Sequence, residues 1–82
     1  MKCTILHETR GRMRVRLCCR RMTLEQADVL EYYLRAVDGV QSVKVYDRTR
    51  DAVVVYAGRR SELIRVLGAF SFAKAEAMEL VP

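Results

Sequence analysis

The sequence predicts an α+β sandwich, a four-stranded antiparallel sheet with two helices packed on one face. Strict alternation of charged and apolar residues from Arg12 to Leu17 marks a half-buried strand. Apolar residues recur at helical spacing after Thr23 and again after Ser61. Between these helices, two β-branched runs flank a polar segment from Asp47 to Asp51, which is the pattern of a hairpin.

Each element follows in order. In Arg12 to Leu17, Met13, Val15 and Leu17 point to the core, while Arg12, Arg14 and Arg16 point away. Ahead of it, Cys3 to His7 is strand-like and runs into the turn-prone Glu8-Thr9-Arg10-Gly11. That pattern fits either one bent strand or a separate hairpin arm. Thr23-Leu24-Glu25-Gln26 fits a capping box, in which the Thr hydroxyl and the Gln side chain satisfy orphan N–H groups. Leu24, Ala27, Leu30, Leu34 and Val37 then make one apolar face. Glu31 and Arg35 pair on the wet side, and Gly39 ends the helix. In the hairpin of Val40 to Tyr46 and Ala52 to Ala57, setting Tyr46 opposite Ala52 puts Val43, Val45, Val53 and Val55 on one face. Ser61 caps the second helix, Leu63, Ile64, Leu67 and Phe70 turn inward, and Ala75 to Val81 reads as a final edge strand. The order strand, helix, strand, strand, helix, strand is the ferredoxin-like βαββαβ arrangement. Residues 1–82 read as one domain, with 1–11 an N-terminal strand and turn and 12–82 the βαββαβ core.

Composition narrows the function. A chain of 82 residues, 51% hydrophobic and 30% charged, makes one small globular domain with little room for a self-contained catalytic cleft. It holds no Ser-His-Asp set, no paired carboxylates in an apolar setting and no phosphate loop, so the domain itself reads as non-catalytic. Its longest apolar run, Ala52 to Ala57, falls far short of the roughly 18–20 residues of a membrane span. The first residues lack the apolar stretch of a signal peptide. Three cysteines are an odd count, two of them adjacent, which points to a reduced, cytoplasmic setting. The net charge of +5 is concentrated: residues 1–22 carry seven basic groups against Glu8 alone, and the rest of the chain is nearly neutral.

From Gly11 through the hairpin, the chain reads Gly11-Arg12-Met13-Arg14-Val15-Arg16-Leu17, then Val37-Asp38-Gly39-Val40-Gln41-Ser42-Val43-Lys44-Val45-Tyr46 and Ala52-Val53-Val54-Val55-Tyr56. This resembles the heavy-metal-associated domains at the N-termini of heavy-metal-translocating P-type ATPases. It is most similar to a divergent bacterial branch with a His-x-x-x-Gly-Arg-x-Arg signature, here His7, Gly11, Arg12 and Arg14. The resemblance covers residues 5–57 well, and the remainder only in kind. It implies a cytosolic regulatory or docking domain on the cytoplasmic side of the membrane, in a parent that exports a transition metal using ATP. Metal-binding members carry Cys-x-x-Cys at the start of the first helix. Spacing from Gly39-Val40 puts those positions at Thr23 and Gln26, where this chain has a hydroxyl and an amide. These are poor ligands for Cu(I) or Zn(II), which favour thiolate or imidazole.

Two residue groups remain as candidate sites. Cys18, Cys19 and Met22, with Cys3 or His7, form a soft set that would suit Cu(I) or Zn(II) in a soluble metal-binding or metallochaperone domain if the loop curls. Arg16, Arg20 and Arg21 oppose a cation there, and their field favours a reactive thiolate instead. Consecutive cysteines at a strand end also suit a purely structural pair, one buried and one solvated. His7 reads equally as a hydrogen-bonded surface residue. The second group is the ladder Arg12, Arg14 and Arg16, with Arg20 and Arg21 beyond it. It reads as a solvated basic face or as a docking surface for an acidic cytosolic domain of the same ATPase or an anionic membrane surface. With Lys44, Tyr46 and Tyr56 expected on the same face as Arg14 and Arg16, a small RNA-binding module is a further alternative. Nucleic acid ranks low, because the first core strand lacks an aromatic and Val54 is expected at the centre of the exposed third strand.

Overall fold

The computed structural model describes residues 1–73. Within them the elements are β1 (Cys3–Thr9), β2 (Arg12–Leu17), α1 (Leu24–Arg35), β3 (Val40–Tyr46), β4 (Asp51–Tyr56) and α2 (Arg60–Ala69). The strands form one sheet in the order β1-β2-β4-β3, with every pair antiparallel. Both helices contribute to a single core on one face, giving the expected ferredoxin-like α+β architecture. The ambiguity at residues 3–9 resolves as a hairpin arm. β1 takes the edge position beside β2, so the described part of the fold runs ββαββα. The expected final strand, Ala75 to Val81, lies outside the described residues.

The β1–β2 turn uses Gly11 in the left-handed region at φ +84. Its carbonyl accepts the Tyr56 N–H at 2.9 Å, and a Cβ there would crowd the Tyr56 carbonyl. A bulge between Ile5 and His7 shifts the β1 register. Both Ile5 and Leu6 remain exposed on this edge strand.

Met13, Val15 and Leu17 are fully buried, as the alternation predicts. They meet Val43 and Val45 of β3, Ala52, Val54 and Tyr56 of β4, and Ala27, Leu30, Leu34, Leu63 and Leu67 from the helices. The β3–β4 register differs by one residue from the sequence expectation. Tyr46 lies opposite Asp51, Val45 opposite Ala52 and Val43 opposite Val54. Val54 and Tyr56 therefore face the core, and Val53 and Val55 face outward. The cause is a four-residue turn, Asp47 to Arg50, closed by Arg50 at φ 62, a left-handed conformation unusual for a non-glycine residue. The Arg50 Nη1 donates to the Cys19 carbonyl at 2.6 Å, and its own carbonyl accepts the Leu17 N–H at 2.9 Å. Asp51 is thereby drawn into the strand, and the slip exchanges the two faces of β4.

The capping box on α1 forms as expected: the Gln26 N–H donates to Thr23 Oγ1 at 3.1 Å and the Thr23 N–H to Gln26 Oε1 at 3.0 Å. Leu24 does not join the apolar face; it is 66% exposed. It heads the stripe Leu24, Asp28, Tyr32, spaced by four residues on the solvent side, where all three are exposed. The helix stops at Arg35 with Ala36 as its cap. Gly39, at φ +86, instead turns the chain into β3, and a Cβ there would sit 2.5 Å from the Ala57 carbonyl oxygen. The cap of α2 also differs from expectation. Arg59 occupies the N-cap without a side-chain bond, and Ser61 lies inside the first turn. Glu62 of that turn offsets the exposed N–H groups and pairs with Arg65.

Candidate docking face

The face of the sheet opposite the helices is built by register. Arg12, Arg14 and Arg16 of β2 lie opposite Val55, Val53 and Asp51 of β4. The same β4 residues lie opposite Ser42, Lys44 and Tyr46 of β3. On the other flank, Thr9, His7 and Thr4 of β1 stand beside the three arginines. The strands thus bring four cations and one carboxylate onto a single open surface. Arg12, Arg14, Arg16, Lys44 and Tyr46 lie where the sequence places them. Tyr56 does not: it is buried on the helix side, as the register slip requires. Val54 likewise leaves the open face for the core.

Asp51 is the residue that sequence reasoning missed. It is 1% exposed, the one buried charged side chain among the described residues, and it lies between two guanidiniums. Arg14 approaches Oδ2 through Nε at 3.0 Å and Nη2 at 2.9 Å. Arg16 donates through Nε to Oδ1 at 2.7 Å and through Nη2 to Oδ2 at 3.3 Å. Arg14 also lies over the Tyr46 ring, 5.6 Å from its centroid, with the Lys44 ammonium at 6.0 Å. Burial alone would push the Asp51 carboxyl above its usual range. The hydrogen bonds and charges of Arg16 and Arg14 outweigh it, and the carboxyl is held below that range. Asp51 therefore stays ionised and neutralises part of the ladder. Arg12 makes no ion pair among the described residues, and Lys44 none beyond its ring contact. No sequence motif marks Asp51; only the register that sets it opposite Arg16 reveals its role.

Arg20 and Arg21 are exposed in the loop that follows β2, off the strand ladder. The soft-ligand set is not gathered into one site. Cys18 is exposed, with its Sγ 3.8 Å from Thr4 Oγ1, whereas Cys19 is half-buried against the core. Met22 is a core residue, and His7 lies on the open face beside Arg14, on the other side of the sheet. Alternation at the strand end separates these groups. Cys3 packs against the core, and its thiol is pushed up by burial. Among the described residues, no group of three or more His, Cys, Asp or Glu side chains converges as a metal cage. No described helix is long and apolar enough to cross a membrane.

No protein-family model matches the chain, and no solved structure matches it significantly. Curated relatives do. The chain is 40% identical over 78 residues to the zinc-exporting P-type ATPase of Mycobacterium marinum, covering 95% of this chain and 11% of that protein. It is 34% identical over 82 residues to the manganese-exporting P-type ATPases of Mycobacterium bovis and Mycobacterium tuberculosis, covering 100% of this chain and 11% of each. Its relatives are metal-exporting pumps. The chain spans 11% of their length.

Proposed function

We propose that these residues form a non-catalytic regulatory or docking domain of a metal-transporting P-type ATPase. The observation that carries this reading is identity of 34–40% across 95–100% of the chain to zinc- and manganese-exporting P-type ATPases. The parent would use ATP to export a transition metal. The domain would act from the cytoplasmic side, resting its basic open face on acidic surface of the pump's cytosolic domains. Four cations facing one carboxylate support that role. Complementary charge mainly sets partner choice and encounter rate.

The test belongs in the full-length protein. Reversing Arg14 or Arg16 would set new carboxylates beside the buried Asp51 and damage the fold, so Arg12 and Lys44 are the positions to change. Arg12→Glu with Lys44→Glu should alter metal-stimulated ATP hydrolysis or its regulation while leaving the melting temperature unchanged. Unaltered metal-stimulated turnover and metal resistance would refute the docking role.

A further inference from the structure

Resting on that docking reading, we infer that Asp51 is a positioning residue. It fixes Arg14 and Arg16 as a pre-organised receptor for the carboxylates of an acidic protein segment, with Arg12 completing the receptor. Asp51 engages the Nε and Nη2 groups of both arginines; among the described residues neither Nη1 makes a hydrogen bond, so the Nη1–Nη2 edge of each guanidinium is the one presented to a ligand. Both guanidiniums remain partly open, with side-chain exposures of 43% and 44%, over a carboxylate that is 1% exposed. The buried anion ties both cations to the sheet, and Arg14 is further held over the face of the Tyr46 ring. Free arginine side chains lose rotamer freedom on binding, and here that cost has been met during folding. The planar fork of a guanidinium matches a carboxylate with two parallel bonds, which an ammonium does not offer. Arg12 lies two residues along the same strand face and makes no ion pair among the described residues, so a segment bearing successive carboxylates would meet three cations in line. A protein segment is favoured over a bilayer because Arg12, Arg14 and Arg16 recur at every second residue of one strand, a repeat that matches the same-face side chains of an extended peptide.

This reading and bulk attraction predict opposite signs for one substitution. Asp51→Asn makes the face more positive, so simple charge attraction would strengthen binding of an acidic ligand, whereas loss of positioning would weaken it. Anisotropy of a fluorescein-labelled oligoglutamate peptide, titrated with the 82-residue chain at low and moderate salt, reads the difference. Arg14→Lys with Arg16→Lys keeps the net charge and removes the forks. Both variants should bind about tenfold more weakly than the native chain, with circular dichroism melts confirming that they are folded. If Asp51→Asn does not fold, the double lysine substitution decides alone. Unchanged binding by that double variant, or tighter binding by folded Asp51→Asn, would overturn the receptor and leave bulk docking intact. Native binding to phosphatidylserine–phosphatidylcholine vesicles but not to the peptide would overturn the choice of partner. Binding to neither would remove the docking reading itself.

Discussion

The Glu31 side chain of α1 accepts the backbone N–H of Val45 at 3.0 Å, so the helix closes the outer edge of β3. Arg35, one turn further on, lies 3.7 Å from the same carboxylate and helps to hold it. An open strand edge is a template for unwanted pairing, and a side-chain acceptor on that edge blocks it. Glu31→Ala should speed hydrogen exchange of the Val45 amide by about tenfold or more, with little change at Val54 in the interior strand. Equal effects at the two amides, measured by NMR, would point to global destabilisation instead.

The face of α1 that packs inward can be tested by a pair of truncations. Leu30 is fully buried, and Leu30→Ala should cost about 2–5 kcal/mol in urea denaturation. Leu24 is 66% exposed, and Leu24→Ala should fall within about 0.5 kcal/mol of the native chain. Similar costs at both positions would contradict the inward placement of Leu30 and the outward placement of Leu24.

Gly39 has two reasons to resist substitution, a φ of +86 and a Cβ position 2.5 Å from the Ala57 carbonyl oxygen. Left-handed backbone costs an L-residue about 1–2 kcal/mol, and the clash adds to it. Gly39→Ala should therefore destabilise by about 2 kcal/mol or more. Gly68 has no heavy atom of the described residues within 4 Å of its added Cβ and lies within α2, so Gly68→Ala should be neutral or stabilising.

Acid should weaken the fold partly through Asp51. Its folded-state pKa is below the unfolded value of about 3.9, so its contribution is complete above that value and lost as pH falls through the folded pKa. Glu8, hydrogen-bonded to Arg60, and Glu62, hydrogen-bonded to Arg65, are lowered in the same direction but are more exposed and more readily screened by salt. Thermal melts at high salt should show the melting temperature dropping below about pH 4. A folded Asp51→Asn variant should show a shallower drop. Identical pH profiles would exclude Asp51 as the source.

Much of this was legible in the sequence, and the misses share a cause. Alternation in Arg12 to Leu17 placed three arginines outside and three apolar residues inside without any knowledge of neighbours. The capping box was equally local, because Thr23 and Gln26 satisfy one another. The β3–β4 register was not local: it depends on Arg50 adopting a left-handed backbone, which no residue type at that turn announces. That single position decides whether Tyr56 is an exposed aromatic or a core side chain, and whether Asp51 is a turn residue or the partner of two arginines. The place of β1 was open for a related reason, since the edge beside β2 can take either chain terminus and local pattern does not choose.

Because β1 fills that edge, the four described strands lie between Cys3 and Tyr56 and are joined as two hairpins linked by α1. A chain synthesised from its N-terminus therefore holds all four described strands before α2 has left the ribosome. The open face, made of strand residues, can be laid down at that stage, while the opposite face still awaits the Leu63 and Leu67 side chains that complete its cover.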